Sequence, residues 1–275
     1  MPELPEVETI SRGLHKRVAG DVIESVWLGS KPEPLKSSAA EIAAALQAKT
    51  IIGVRRSGKH IVFDLAPVRP GPKSNGAQPA QWIVHLGMTG SMQVCSPDSD
   101  RDKHTHAVVA LASGRELRFV DPRRFGRLSV VENFAPPGTE PLQISSQNFG
   151  KIFRARKTPI KSALLNQKLL SGVGNIYADE ALFRAKVRPR RRASSLTHAE
   201  LALLHKGLKR VLQEAIRLGG SSISDYVDAD GEEGFFQLKH RVYGREGKPC
   251  LVCKTPIKRV VIAGRSSHYC PKCQK

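Results

Sequence analysis

No apolar stretch in this 275-residue chain approaches the roughly 18 residues needed to cross a bilayer. Nor does a positively charged leader with an apolar core open it. A soluble, intracellular protein without a membrane partner is expected. Cysteine is scarce: five residues, four of them in two close pairs near the C-terminus, with Cys95 alone. Such usage excludes a secreted disulfide framework and points to a metal site plus a spare thiol. Acidic residues are the third shortage, since 25 Asp and Glu face 44 Lys and Arg, a formal net charge of +19. An excess of that size implies a polyanionic partner, nucleic acid before membrane. No internal repeat is present. The length suffices for two domains with their own cores, and a monomer is expected.

Residues 5–18 carry apolar side chains at helical spacing (Val7, Ile10, Leu14, Val18) and stop at Gly20, which predicts a helix. A strand follows over 21–28, then an alanine-rich helix over 38–48, with Ser37 or Ser38 as cap and Glu41 in its first turn. Seven further strands are predicted over 51–56, 60–65, 82–86, 92–95, 106–111, 117–120 and 127–131. Short strands separated by Gly, Pro and Ser turns make an antiparallel sandwich. Residues 67–79 interrupt that pattern as a loop-like hairpin insertion that carries no chemistry.

Pro136-Pro137-Gly138 reads as a linker. Beyond it the spacing is helical over 160–170, 176–185 and 196–218, the last with Leu201, Leu204, Leu208, Val211, Leu212 and Ala215 on one side. Between the first two, Ser171-Gly172-Val173-Gly174-Asn175 permits a tight turn against something large. Residues 219–235 read as a mobile loop, and the chain ends in a cysteine-bearing β-hairpin from Val242 onward. The fold class is therefore α+β: an N-terminal antiparallel β-sandwich with flanking helices (1–132), a linker (133–141), a helical domain (142–240) and a metal-binding β-hairpin (241–275).

Cys250-Leu-Val-Cys253 and Cys270-Pro-Lys-Cys273 flank a strand-turn-strand signal. Two such knuckles present four thiolates tetrahedrally, the closed arrangement of one structural Zn2+. An iron–sulfur centre is the alternative, and two disulfides do not suit a reducing compartment. With little core of its own, such a ribbon is held by its metal, typically to the extent of ~10–16 kcal/mol apparent. Lys258, Arg259, Arg265, Ser266 and Ser267 between the knuckles make a basic tip suited to phosphates. The plainer reading is a structural clip.

Met1-Pro2-Glu3-Leu4-Pro5-Glu6-Val7-Glu8 opens the chain. Proline and carboxylates suit a first helical turn. If Met1 is removed, the Pro2 nitrogen becomes a secondary amine. An α-amine titrates near ~8 against roughly 10.4 for lysine, so much of it is unprotonated at neutral pH. Such an amine can attack an electrophilic carbon to form an iminium, with Glu3 placed to move a proton there. On its own physics the simpler reading, a cap and a solvated first turn, is the stronger.

The resemblance reverses that preference. Met-Pro-Glu-Leu-Pro-Glu-Val-Glu-Thr resembles the amino terminus of the bacterial formamidopyrimidine-DNA glycosylases, and the likeness runs to Cys273, the 67–79 loop excepted. It implies that Pro2 is the nucleophile and Glu3 the proton donor, and that Lys59, in Ser57-Gly58-Lys59-His60, belongs to the catalytic site. Arg265, in Gly264-Arg265-Ser266-Ser267-His268-Tyr269-Cys270, takes the place of the family's zinc-finger arginine, which contacts the lesion's phosphates and aids the second elimination. His268 stands where a larger aromatic is expected. Met88, in His85-Leu86-Gly87-Met88-Thr89-Gly90, joins Arg123 and Phe125, in Asp121-Pro122-Arg123-Arg124-Phe125-Gly126, as the set that fills the gap left by an extruded nucleotide. His104 matches a histidine that contacts the DNA backbone. A metal pair with His106 would need a third ligand, and none is near.

Arg154, Arg156 and Lys157 ahead of the helical pair, with Gly174-Asn175 at the start of its second helix, resemble the family's helix–two-turns–helix motif. There, backbone amides, an asparagine and a lysine grip phosphate. Arg156, Lys157 and Asn175 are thus implied DNA contacts. The run Arg188-Pro189-Arg190-Arg191-Arg192 is given no role, because a charge run is ordinarily a solvated face. Residues 221–226 lie where the family's lesion-capping loop lies.

The implied activity is that of a bifunctional DNA glycosylase and abasic-site lyase of base excision repair. Its partner is double-stranded DNA carrying 8-oxoguanine, formamidopyrimidines or abasic sites, in the cytoplasm of a bacterium and on its nucleoid. No redox cofactor is required. The mature chain should start at Pro2, since with Met1 attached Pro2 has no free amine. Other readings are an endonuclease VIII-type glycosylase for oxidised pyrimidines, a non-catalytic zinc DNA-binding protein, and a basic RNA- or ribosome-binding protein.

Overall fold

The computed structural model describes residues 1–68, 80–222 and 234–275. Most of the predicted 67–79 insertion, and the 221–226 segment from residue 223 on, lie outside the described residues. The chain divides into two compact units, one of residues 1–2, 6–135, 222 and 234, and one of residues 3–5, 136–221 and 235–275. The architecture is mixed α+β, as the sequence predicts.

In the first unit, α1 (Leu4–Val18) sets Val7, Ile10, Leu14 and Val18 on one buried stripe. Glu6 in its first turn and Lys16 and Arg17 in its last complement the helix dipole. Strand β1 (Ile23–Leu28) follows, then α2 (Ala39–Leu46), closed at its start by a capping box between Ser38 and Glu41. Seven more strands come in order: β2 (Lys49–Ser57), β3 (His60–Pro67), β4 (Gln81–His85), β5 (Ser91–Cys95), β6 (Thr105–Leu111), β7 (Glu116–Val120) and β8 (Arg127–Val131). They form two four-stranded antiparallel sheets, β1-β6-β7-β5 and β2-β3-β4-β8. Both contribute to one core, with Ile51, Phe63, Trp82 and Val84 from one sheet, Met92, Val109, Leu117 and Phe119 from the other, and Ile42 and Leu46 from α2.

In the second unit, α3 (Ser146–Arg154) is a helix that the sequence reading passes over. Ser145 caps it and Phe149 and Phe153, one turn apart, are fully buried. Helix α4 (Ile160–Leu165) is shorter than the predicted 160–170. Asn166 ends it, because its side chain accepts the Lys168 N–H at 3.0 Å and so offers the backbone a turn in place of a helix. Helices α5 (Asn175–Arg184) and α6 (His198–Arg217) match the prediction within two residues. The apolar stripe of α6 is buried, and a Thr197–Glu200 capping box starts it. The hairpin β9 (Lys258–Ile262) and β10 (Arg265–Tyr269) closes the chain. Its two turn residues, Ala263 and Gly264, both have positive φ, 46° and 74°, the conformation of a two-residue hairpin turn that follows the strands' twist.

Candidate functional site

Glu3 is buried, at 5% exposure, and Pro2 before it is half-buried. The Glu3 Oε1 accepts the N–H of Ile176 at 3.3 Å, in the first turn of α5. That helix begins at Gly174 without a side-chain cap of its own, so a carboxylate 173 positions away fills the role and meets the helix's positive end. The glycine is there for clearance. A Cβ on Gly174 would lie 2.1 Å from the Glu3 Cδ, although the φ of −126° suits any residue. Gly172, at φ +102°, is the one the turn itself needs, and its carbonyl accepts the Leu4 N–H at 3.1 Å. The bulky neighbour that this glycine turn was expected to accommodate is the Glu3 carboxylate.

In the first unit the predicted residues fall on neighbouring turns. Lys59 follows Gly58 (φ +61°) in the β2–β3 turn and is buried at 8% exposure, so it is no solvated turn lysine. Met88 is 44% and Phe125 53% exposed, large apolar side chains held outward. Their loops touch, since a Cβ on Gly87 would lie 2.5 Å from the Phe125 carbonyl carbon. The Arg123 guanidinium stands 4.9 Å over the Phe125 ring, within cation–π range.

Asp121, which the sequence reading left without a role, organises this group. Fully buried, it accepts from Thr89 Oγ1 at 2.7 Å, Arg123 N at 3.2 Å and Gly126 N at 2.7 Å. Its own N–H donates to the carbonyl of half-buried His104 at 3.0 Å. One carboxylate thus joins the Met88 loop, the Arg123–Phe125 loop and His104. His85 is also missed. Its Nδ1 accepts the Gly87 N–H at 3.1 Å, and burial, then His60, Arg127 and Lys59, push its pKa down to about 4, so it is neutral and free to accept.

In the second unit, Arg265 is exposed beside the hairpin turn. Asn175 Nδ2 donates to Ser266 Oγ at 3.2 Å, which brings Asn175 and the hairpin tip together. Arg156 and Lys157 stand exposed on the α3–α4 connection, and Arg156 Nε reaches back to Ile152 O at 3.4 Å, not toward Asn175. Beneath the tip, Lys161 and Asp179, both fully buried, form an ion pair. Burial lowers the Lys161 pKa, while Asp179 and then Glu3 act to raise it. Glu180 takes the backbone N–H groups of Arg241, Val242 and Tyr243 on Oε1 at 2.9, 2.9 and 3.0 Å, and burial raises its pKa.

Arg188, Arg190 and Arg192 are exposed, as a solvated face would have them, but three arginines of the run also bond within the chain. Arg188 Nε donates to Gln274 O at 2.9 Å and its Nη2 to Pro271 O at 2.9 Å. Arg190 reaches Val261 O at 3.4 Å, and Arg191 pairs with Glu200 at 2.5 Å. Arg188 and Arg190 hold the C-terminal ribbon, and Arg191 is tied to α6.

The ligand atoms of Cys250, Cys253, Cys270 and Cys273 all lie within 4.8 Å of one another. The Cys250–Cys273 sulfurs are 3.9 Å apart and the Cys253–Cys270 pair 3.4 Å. A tetrahedron with metal–sulfur bonds of about 2.3 Å has edges of about 3.8 Å, so the set fits zinc. Burial first, and then the crowded neighbouring thiols, push the Cys273 pKa up. The Thr255 hydroxyl above all draws Cys253 down to about 6. The fit of the four sulfurs to that tetrahedron makes the four cysteines the site of one structural zinc.

Three family models cover nearly the whole chain: the formamidopyrimidine-DNA glycosylase N-terminal domain over residues 1–128, its H2TH domain over 137–227, and a zinc finger found in FPG and IleRS over 247–275. Formamidopyrimidine-DNA glycosylases of Solibacter usitatus and Desulforamulus reducens are 45% and 42% identical to it. The first match covers 100% of both chains, the second 100% of this chain and 99% of the relative. The crystal structure of MutM (Fpg) from Thermus thermophilus superposes with a TM-score of 0.85 at 41% identity, covering 99% of this chain and 98% of that one. Lactococcus lactis Fpg in complex with abasic-site DNA does so at 0.87 and 33%, covering 99% of each. With Glu3 seated on α5, the exposed Met88, Arg123 and Phe125 and the four-cysteine ribbon all in one chain, the relatives and the geometry agree: the chain belongs to the formamidopyrimidine-DNA glycosylase family.

Proposed function

We propose that this protein excises oxidised purines, 8-oxoguanine and formamidopyrimidines, from duplex DNA and then cuts the strand at the resulting abasic site. The observation that carries the reading is the Glu3 carboxylate, buried next to Pro2 and held on the first turn of α5. A surface cap would not need a glycine cut away to admit it.

A base inside the stack shields its sugar, so the nucleotide has to be extruded, at a cost of a few kcal/mol. Met88 and Phe125 offset that cost by stacking in the gap, and Arg123 by hydrogen bonding to the orphaned base. The Pro2 nitrogen then attacks C1′ and the glycosidic bond breaks with its electrons leaving on the base. Glu3 and Lys59 move the protons. Opening of the sugar ring leaves an iminium between Pro2 and C1′. That cation acidifies the C2′ hydrogen, whose loss expels the 3′ phosphate (β-elimination), and a second loss expels the 5′ phosphate (δ-elimination). Arg265, Asn175, His104, Arg156 and Lys157 hold phosphates, and the zinc keeps the hairpin that carries Arg265 folded. The protein works as a monomer in the bacterial cytoplasm, on the nucleoid, once Met1 has been removed.

Borohydride trapping on an abasic-site duplex, followed by peptide mapping, tests this. The expected adduct is on Pro2. An adduct on an internal lysine, or none, overturns the mechanism. Parallel assays on 8-oxoguanine and thymine-glycol duplexes place the substrate class.

A further inference from the structure

The departure at His268, a histidine where a larger aromatic is expected, is accounted for by its surroundings. His268 Nδ1 donates to Asp179 Oδ2 at 3.2 Å, and its backbone N–H donates to the same oxygen at 2.9 Å. The other oxygen, Oδ1, takes the Lys161 ammonium. Lys161 also donates to the carbonyl of Ser266 at 3.1 Å. Three elements therefore meet on one buried carboxylate, α4 through Lys161, α5 through Asp179 and β10 through His268, and Lys161 ties β10 a second time through Ser266. The His268 ring packs edge-on against Tyr243 at 5.1 Å, which fixes its plane.

From these contacts we infer that Asp179 and His268, with Lys161, are positioning residues that set the tip of the zinc hairpin, and thereby hold Arg265 and Asn175 where one phosphate group of the DNA is gripped. The inference rests on the proposed role of the tip in holding phosphate. Adjacency links the two. Ser266 is tied on both sides, its carbonyl to Lys161 and its hydroxyl to Asn175, and Arg265 is its chain neighbour. The zinc site lies beyond Tyr269, so the metal and the His268–Asp179 bonds secure the base of the hairpin, and the Lys161–Ser266 bond carries that hold toward the tip. A tether matters here because a guanidinium gripping phosphate gives a charge-assisted hydrogen bond whose strength depends on geometry, and an ångström of misplacement is costly at a reacting site.

The test is a double-substitution cycle on the full-length zinc-loaded protein, read as the salt dependence of binding to a duplex with a non-cleavable abasic-site analogue. Arg265→Ala should make the log–log slope shallower by about 0.9, the loss of one phosphate. His268→Phe keeps a ring against Tyr243 and the backbone bond to Asp179 but removes the Nδ1 donor. It is expected to weaken binding about tenfold, the scale of one charge-assisted bond, and to shift the slope in the same direction. Combined with Arg265→Ala it should add little, as residues acting through one contact do. Asp179→Asn, which keeps an acceptor on α5, serves as a second entry to the same cycle. An unchanged slope, or losses that simply add, overturns the inference. Borohydride trapping of the unsubstituted protein separately decides the glycosylase reading, whatever the cycle shows.

Discussion

At the scale of single residues, the site is a matter of clearance and of neighbours far apart in sequence. Gly174→Ala would push a methyl group into the Glu3 carboxylate, and overpacking of this kind costs typically ~1–3 kcal/mol. A modest fall in Tm, with base release lost beyond what that fall explains, is expected in single-turnover assays. Gly172→Ala would strain the backbone instead. Glu3→Gln keeps an oxygen to accept the Ile176 N–H, so lesion DNA should still be bound while base release falls by roughly 10²-fold or more, the usual share of a proton-transferring group. Normal base release by that variant would remove Glu3 from the mechanism. Little of this was legible beforehand. The motif around Pro2 and the one around Gly174 were each visible, but no local pattern shows that they meet. Asp121 and Asp179 were unremarked for the same reason, since a buried carboxylate's value lies in partners the sequence does not place.

Whole elements were easier to read, because periodicity is local. The eight strands of the sandwich and helices α1, α5 and α6 follow from apolar spacing and turn residues. The failures have local causes too. In α3 the polar run Ser146-Gln147-Asn148 hides the Phe149–Phe153 stripe, and in α4 a side-chain bond at Asn166 cuts short a pattern that spacing alone extends. The zinc ribbon has a small core, with Phe183, Val242, Cys250, Ile257 and Cys270 as its buried members, so metal should decide its folding. A strong chelator is expected to speed amide exchange across Lys258–Ile262 and Arg265–Tyr269 while leaving the sandwich amides protected. Equal protection with and without metal would show that the ribbon holds by itself.

For the molecule as a whole, charge and pH are the levers. Gripping about five phosphates gives an expected log–log slope of roughly −4.5 for DNA binding, and a flat response would contradict the electrostatic account. Acid should destabilise the fold before the carboxylates titrate. His85 and His240 are both held down to about 4, chiefly by burial, whereas an unfolded histidine titrates near ~6.5. Between those values the unfolded chain binds more protons, so stability is full above about 6.5 and is lost as pH falls toward about 4. Denaturant titrations at about pH 7, above that window, and at about pH 4.5, near its lower end, should show the fall, and His85→Gln should make it shallower.

The arginines that clasp the ribbon's carbonyls have donors engaged but keep their charge. Arg188 and Arg190 are exposed and no acid neutralises them in the bonds they make, so they project a field outward while the N–H groups spent on those carbonyls are withheld from a phosphate. Distant attraction and close grip are thereby partly separated: such cations hasten encounter more than they delay departure. Replacing either with a neutral residue that leaves the ribbon in place should slow arrival on DNA at low ionic strength more than it shortens residence.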